Sequence, residues 1–473
     1  MVLNWLDYAV IALYLLAIVA FGSWFARFQK TTRDYFLTGR SVPWWAICFT
    51  IVATETSTLS FIGVPADAYA GNMTFLQLAM GYIVGRLLVS VLFIPAYFRG
   101  ELYSSYELLQ RRFGPPVKNA AAVIFLATRT FADGFRLYAT ALVIAVVTQV
   151  PVTWTVLILG AAMIVYTVRG GVSAVIWTDV VQMFIYVRGA LLVFFGLLGL
   201  VPGGWPEVAR VGGDHFRVFD FSTDPTRVYT FWAGLLGGVA LTLATHGTDQ
   251  FLVQRLLSAR SAKEASTGLI LSGVIVFAQF TLFLIIGVML YTYYQGTPLP
   301  RPLGRNDEVL PLFVITSLPH GVSAFIVAAI IPAALSPSIN WMAATTVNDF
   351  YLKYVRPNAD QPTLMRVSRQ ATIFWGIAQI AVAVAAQYVT GSILAAGLAV
   401  LSLAAGPVLG AFLVGVLTTR VGTNAMLTGM IAGVAVLAWV WGTAAAAWTW
   451  YALIGSSVTV AVAVATSLVV DRK

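Results

Sequence analysis

Ala53-Thr54-Glu55-Thr56-Ser57-Thr58-Leu59-Ser60 interrupts an otherwise apolar run over 43–64. The run is long enough to cross a bilayer, which takes about 20 residues. Its centre would nevertheless put a carboxylate and five hydroxyls at hydrocarbon depth. Backbone without helical pairing is tolerated there only where it lines a cavity or is buried in protein. A second apolar run, 229–251, is broken in the same way by Thr242 and by Thr245-His246-Gly247-Thr248-Asp249-Gln250. Paired interruptions in the two halves of a membrane chain point to a transporter's binding site, where freed carbonyls can hold a cation and half-helix N-termini can face an anionic group. The expectation is two unwound spans facing one pocket. The alternative, that these polar groups only bond neighbouring helices, stays open residue by residue.

The rest of the chain supports a membrane setting. Of 473 residues, 59% are hydrophobic and 10% charged, against roughly 25% charged in soluble domains. Mean hydropathy is +0.85. Apolar segments fall at 4–28, 43–64, 75–98, 117–150, 152–168, 172–202, 229–251, 265–294, 321–350, 366–389, 392–418, 422–446 and 449–470. The fold class expected is an all-α, polytopic membrane protein of about 13 transmembrane helices. No basic region precedes 4–28, so it reads as a leading helix rather than a cleaved signal. Taking 43–202 and 229–418 as two five-helix halves puts each broken segment first in its half, with 422–470 adding two C-terminal helices.

The net charge of +9 does not indicate nucleic acid. Its positive residues gather in alternate loops, among them Arg27, Lys30, Arg33 and Arg40, then Arg99, Arg111, Arg112 and Lys118, then Arg255, Arg260 and Lys263. The positive-inside rule then places the N-terminus outside the cell membrane and the C-terminus in the cytoplasm. Residues 101–114 have the spacing of an amphipathic helix on the cytoplasmic surface. The lone Cys48 offers neither a disulfide framework nor a metal-ligand pattern and reads as a buried thiol. Trp5, Trp44, Trp45, Trp205 and Tyr229 read as an interfacial belt, and Ala161-Ala162 with the small residues of 392–416 as helix packing. A Walker motif, a GxSxG turn and metal-spaced ligands are all missing, so neither ATP-driven transport nor an enzyme is expected.

Charges inside apolar segments cost at least about 2.5 kcal/mol and usually face a cavity or a partner. The acids are Glu55, Asp133, Asp179 and Asp249; the bases are Arg86, Arg129, Arg136 and Arg188. Arg129, Asp133 and Arg136 are spaced for a ladder along one helical face. An arginine left free of it could hold a substrate carboxylate through two hydrogen bonds. Asp179 is a cation ligand or the partner of a base, and Arg188 lies too far along its helix to be that base. His246 can contact solute, titrate near neutral pH or serve as a hydrogen-bonded structural residue.

Several stretches together resemble the sodium:solute symporter family. They are Asp34-Tyr35-Phe36-Leu37-Thr38-Gly39-Arg40 with Pro43-Trp44-Trp45, and Ala53-Thr54-Glu55-Thr56-Ser57 with Phe61-Ile62-Gly63. Gly170-Gly171 with Ala174-Val175-Ile176-Trp177-Thr178-Asp179-Val180-Val181-Gln182 is the most specific. Asp249-Gln250 with Gln254-Arg255, and Asn340 with Asp349-Phe350-Tyr351, complete the likeness over about residues 5–420. The resemblance implies a five-plus-five inverted repeat behind one leading helix, and sodium bound between the first and eighth core helices. It implies carbonyl ligands from Ala53, Thr56 and Ile330, and a second cation position at Asp179, Ser336 and Ser338. The chain departs from the pattern at Ala333 and Ala334, where the family's ligands carry hydroxyls, and at Pro337, which replaces a serine.

The function expected is secondary active transport, sodium-coupled symport of a small polar organic solute by alternating access. Matching positions place solute contacts at Ser57, Ser60, Phe75, Thr245 and His246, with Gln279 and Ser402 as further candidates. No cofactor is expected beyond the co-transported Na+. The partners expected are a small-molecule solute, the sodium ion and the lipid bilayer, with no nucleic acid and with a monomeric carrier. Proton coupling through Asp179 or Glu55, uncoupled facilitation, and a transporter-like solute receptor are the competing readings.

Overall fold

The computed structural model describes residues 4–26, 41–99, 105–169, 173–334 and 338–470. These residues are helices joined by loops, with one isolated backbone bridge between Val42 and Ala259. The leading helix α1 (Trp5–Ala26) is followed by α2 (Trp44–Glu55) and α3 (Thr58–Ala70), which form one span bent by 61° at Thr56-Ser57. Helix α4 (Leu76–Leu92) continues through a short α5 (Ile94–Phe98) toward α6 (Ser105–Phe113). Next come α7 (Pro115–Thr148), α8 (Val152–Arg169), α9 (Ser173–Leu200) and a short α10 (Gly204–Gly212).

The second broken segment is α11 (Gly238–Gly247) and α12 (Gln250–Leu257), preceded by a π-helical turn over Ala233–Gly237. Helix α13 (Ala262–Gly296) follows, then a short α14 (Val309–Ser317), α15 (Val322–Ala334) and α16 (Ser338–Thr345). The chain ends in α17 (Gln361–Ala386), α18 (Ile393–Leu417), α19 (Thr423–Thr443) and α20 (Tyr451–Val470).

Among the described residues, eight helices are long and apolar enough to cross a membrane, or nine with α2 and α3 taken as one span. Shorter apolar helices lie over Trp5–Tyr14, Val152–Val165 and Ala233–Gly247. Leu13, Val91, Ile158, Phe195, Ile377 and Ile431 are exposed on the outer surface, as lipid-facing side chains are.

Close helix contact depends on glycine. Helix α4 brings Gly81 and Gly85 against Gly234, Gly238 and Thr242; a Cβ on Gly81 would lie 2.4 Å from the Gly234 carbonyl oxygen. Small residues four apart let backbones approach in this way inside a membrane. Gly406 meets the Gly455 backbone, which draws α18 onto α20 as the composition of 392–416 anticipates. In α8 the contact comes from Gly160 against Ile380, whereas Ala161 and Ala162 are exposed. The packing reading of that pair is therefore displaced by one residue.

Helix α6 is the described part of the amphipathic stretch. It buries Ser105, Tyr106, Leu109 and Phe113 against α7 and α18 and leaves Arg111 outside. Its apolar face is thus covered by protein. At the centre, α2 and α3 pack on α13, α4 packs on α11, and α7 packs on α17 and α18. This arrangement brings both breaks to one interior region.

Candidate functional site

The first break has its own hydrogen-bond logic. The N–H of Thr56 still reaches the Val52 carbonyl (2.8 Å), but α3 starts afresh at Ser57. Ser60 Oγ accepts the Ser57 N–H at 3.0 Å and donates toward the Glu55 carbonyl at 2.7 Å. A serine one turn into the new helix therefore satisfies both sides of the gap, as buried backbone groups require. Thr58 Oγ1 donates to the Ile330 carbonyl of α15 at 3.2 Å and accepts from Thr140 of α7 at 2.9 Å. These two bonds tie the break to its neighbours.

The second break centres on Thr248-Asp249. Both of their N–H groups reach back to the Ala244 carbonyl, and Asp249 Oδ1 caps α12 by accepting from the Phe251 N–H at 2.8 Å. Tyr97 donates its hydroxyl to the Gly247 carbonyl. Gly247 cannot be larger, since a Cβ there would lie 2.6 Å from the Phe93 ring.

Between the breaks is a cavity of about 140 Å³. Ser57, Ser60, Phe75, Thr245 and His246, five of the seven expected solute contacts, line it. Gln279 and Ser402 do not. Gln279 Oε1 accepts from Thr56 Oγ1 at 2.8 Å and so braces the back of the break. Ser402 is fully buried, and its Oγ caps α20 by accepting from the Ala452 N–H at 3.0 Å. The charged wall is Glu55, Arg129, Arg136 and Asp249; Phe280, Leu398 and Leu401 add apolar surface.

Three buried arginines each hold a carboxylate. Arg86 Nη2 bonds Glu55 Oε1, which also lies 2.5 Å from His246 Nε2. Arg129 Nη2 is 2.7 Å from Asp249 Oδ2. Arg255 Nη2 is 2.9 Å from Asp179 Oδ2, an oxygen that also accepts from Thr50 Oγ1 at 2.8 Å. Only one rung of the expected ladder along α7 forms, the Asp133–Arg136 ion pair, because Asp249 takes Arg129 across the cavity. Arg136 Nη1 stays 3.9 Å from Asp133 Oδ1, too far for a hydrogen bond. Arg188 is exposed on α9, away from these pairs.

For the cation positions, the Thr58–Ile330 bond brings Ile330 of α15 beside the break that holds Ala53 and Thr56. Thr56 and Ile330 are buried and Ala53 is half-buried. Asp179 is bonded to Arg255, so a base occupies it in this conformation, and Ser338 is buried on α16. Ser336 and Pro337 lie outside the described residues. Reading the sequence alone did not place Glu55, Arg136, Tyr82 or Phe280 on the solute cavity. Glu55 and Arg136 stood out as charges at membrane depth, but Tyr82 and Phe280 gave no signal.

A cavity at two helix breaks, walled by charge and enclosed by apolar spans, is the arrangement of a membrane carrier, and similarity to known proteins agrees. The family model "Sodium:solute symporter family" matches residues 35–433. The human sodium/iodide cotransporter is 32% identical over 448 residues, 92% of this chain and 69% of that protein. The sodium/sialic acid symporter NanT of Aliivibrio fischeri is 31% identical, over 98% of this chain and 93% of that one. The solved outward-open, substrate-bound structure of a Na+-coupled sialic acid symporter superposes with a TM-score of 0.88 at 28% identity, covering 98% of each chain. This chain belongs to the sodium:solute symporter family and is a sodium-coupled solute carrier, not an enzyme.

Proposed function

We propose that the chain carries a small organic anion across the cell membrane by sodium-coupled alternating access, with Arg136 as the carboxylate anchor. One observation carries this reading. Arg136 lines the cavity with its nearest carboxylate oxygen 3.9 Å away, while Arg86, Arg129 and Arg255 already hold theirs. A guanidinium can take a carboxylate through two charge-assisted bonds. The relatives named for iodide and sialic acid carry anions, which supports the same class. A water needs about 10–15 Å³ of such space, so the cavity suits a solute of roughly ten non-hydrogen atoms.

Sodium belongs between the first break and α15, with the carbonyls of Ala53, Thr56 and Ile330 as ligands. A cation leaving water needs its hydration oxygens replaced. Ala333 and Ala334 supply none, so Thr58 Oγ1, 3.2 Å from the Ile330 carbonyl, and water or solute complete the shell. A second ion at Asp179, Ser336 and Ser338 would have to displace Arg255. The halves 43–202 and 229–418 rock about the cavity, about 13 spans cross the bilayer, the N-terminus is outside, and one chain is the working unit.

Thermal-shift binding of carboxylates to purified protein, with and without sodium, tests the proposal. Sodium-dependent protection by acids that is lost in Arg136→Gln supports it; equal protection by acids and their amides contradicts it. Binding with no counterflow in proteoliposomes would favour the receptor reading.

A further inference from the structure

Helix α9 carries an arginine on the surface that lipid would cover. Phe184, Arg188, Leu191, Leu192 and Phe195 are all exposed. Residues three, four and seven apart share one helical face, so the five form a single apolar stripe with a charge in it. Arg188 is 15 residues from Ser173 and 12 from Leu200, the two ends of the helix. At 1.5 Å per residue these are about 22 and 18 Å, in a hydrocarbon layer only about 30 Å thick. The neighbouring Gly189 fixes the depth. It faces inward, where a Cβ would lie 3.9 Å from the Phe61 ring, one turn past the first break. Arg188 is thus level with the solute cavity but on the outside of the bundle.

A charge at that depth is costly and as a rule faces a cavity or a partner, whereas snorkelling to the headgroups serves arginines near helix ends. Arg188 has neither cavity nor partner. It lines neither the solute cavity nor the smaller one beside Tyr106. Among the described residues it makes no hydrogen bond, ion pair or ring contact. Arg86, Arg129 and Arg255, by contrast, are buried and each holds a carboxylate.

We propose that this face of α9 is a docking site for a transmembrane helix of another protein, one that carries an aspartate or glutamate at mid-membrane. Arg188 takes that carboxylate through charge-assisted hydrogen bonds, which a planar guanidinium makes in pairs. Phe184, Leu191, Leu192 and Phe195 pack against the partner's apolar side chains. A second copy of this chain does not supply the acid, because Glu55, Asp133, Asp179 and Asp249 are buried or half-buried within the bundle. Helix α9 packs on α2, α13 and α15. A helix seated on its outer face therefore bears on the elements that carry the first break and Ile330.

The probe is a set of synthetic leucine–alanine transmembrane peptides with a central Glu, Gln or Leu, mixed with the full-length protein in neutral phosphatidylcholine vesicles. Cys48 is buried, so Thr223→Cys on an exposed loop takes a donor dye selectively, and energy transfer to acceptor-labelled peptide reports association. The Glu peptide should associate at least about tenfold more tightly than the Leu peptide, with Gln between, as polar groups do when they bond across helices. Arg188→Leu should bring the three together, and Arg188→Lys should keep part of the preference. Both variants should melt like the unsubstituted protein, since Arg188 bonds nothing within the described chain. Equal association of the Glu and Leu peptides overturns the proposal, as does a preference that survives Arg188→Leu. Energy transfer between labelled copies of the carrier that Arg188→Leu abolishes would give the face to a second copy. A preference erased by added phosphatidylglycerol would give Arg188 to a lipid headgroup. Either result overturns the proposal too.

Discussion

Arg129 of α7 reaches across the cavity to Asp249 in the second break, at 2.7 Å, and its guanidinium also covers the Phe251 ring at 4.5 Å. Asp249 and Thr245 belong to the walls of two cavities, the solute cavity and a smaller one of about 30 Å³ toward Tyr106 of α6. Asp249 therefore stands between the solute cavity and this smaller one. Removing one member of a buried pair leaves an uncompensated charge, at about 3–5 kcal/mol. Arg129→Gln and Asp249→Asn should each lower the melting temperature in detergent, and the double variant should recover part of the loss. Singles as stable as the double would show that the two groups are not coupled.

Arg136 should behave differently, because its one carboxylate contact, with Asp133, is 3.9 Å long and carries no hydrogen bond. Arg136→Gln should weaken binding of an acid such as lactate by about 1.5–3 kcal/mol, the worth of a hydrogen bond to a charged group. That is roughly ten- to a hundredfold. Arg136→Lys should fall between, since it keeps the charge and loses the paired geometry. Calorimetric titration measures both, and unchanged affinity in Arg136→Gln would refute the anchor role.

The sodium site invites a gain-of-function test. Ala333→Ser and Ala334→Ser add the hydroxyls that the family resemblance expects. Each should lower the sodium concentration at half-saturation of solute binding, and together they should lower it further. A sodium dependence that does not move would place the ion elsewhere.

The close approach of α4 to the π-helical turn is sensitive to a single side chain. A Cβ on Gly234 would lie 2.7 Å from the Gln77 backbone carbon. Gly234→Val should destabilise by about 1–3 kcal/mol, the usual range for overpacking. Loss of monodisperse protein in size-exclusion chromatography, or a lowered melting temperature, reads this out.

Much of this arrangement was legible in the sequence because lipid leaves few options. Polar residues inside an apolar run must face a cavity or protein, and that rule located both breaks; positions matching the family resemblance located five of the cavity residues. Partner choice was not legible. Arg129 finds Asp249 rather than Asp133 four residues away, and Asp179 finds Arg255 of α12, because helix packing rather than spacing decides which charges meet. Ser402 and Gln279 were misplaced for a similar reason: each serves a polar group on another helix, an Ala452 N–H and the Thr56 hydroxyl.

Uptake of radiolabelled lactate into proteoliposomes tests the central claim most directly, with sodium imposed outside and a negative potential inside. The account predicts accumulation above the outside concentration, driven by the sodium gradient; one sodium carried with one carboxylate moves no net charge, so the potential of about 2.3 kcal/mol per charge per 100 mV adds nothing. It also predicts collapse when a sodium ionophore is added. Uptake that proceeds equally well with potassium in place of sodium, or that follows an imposed pH gradient alone, would contradict it.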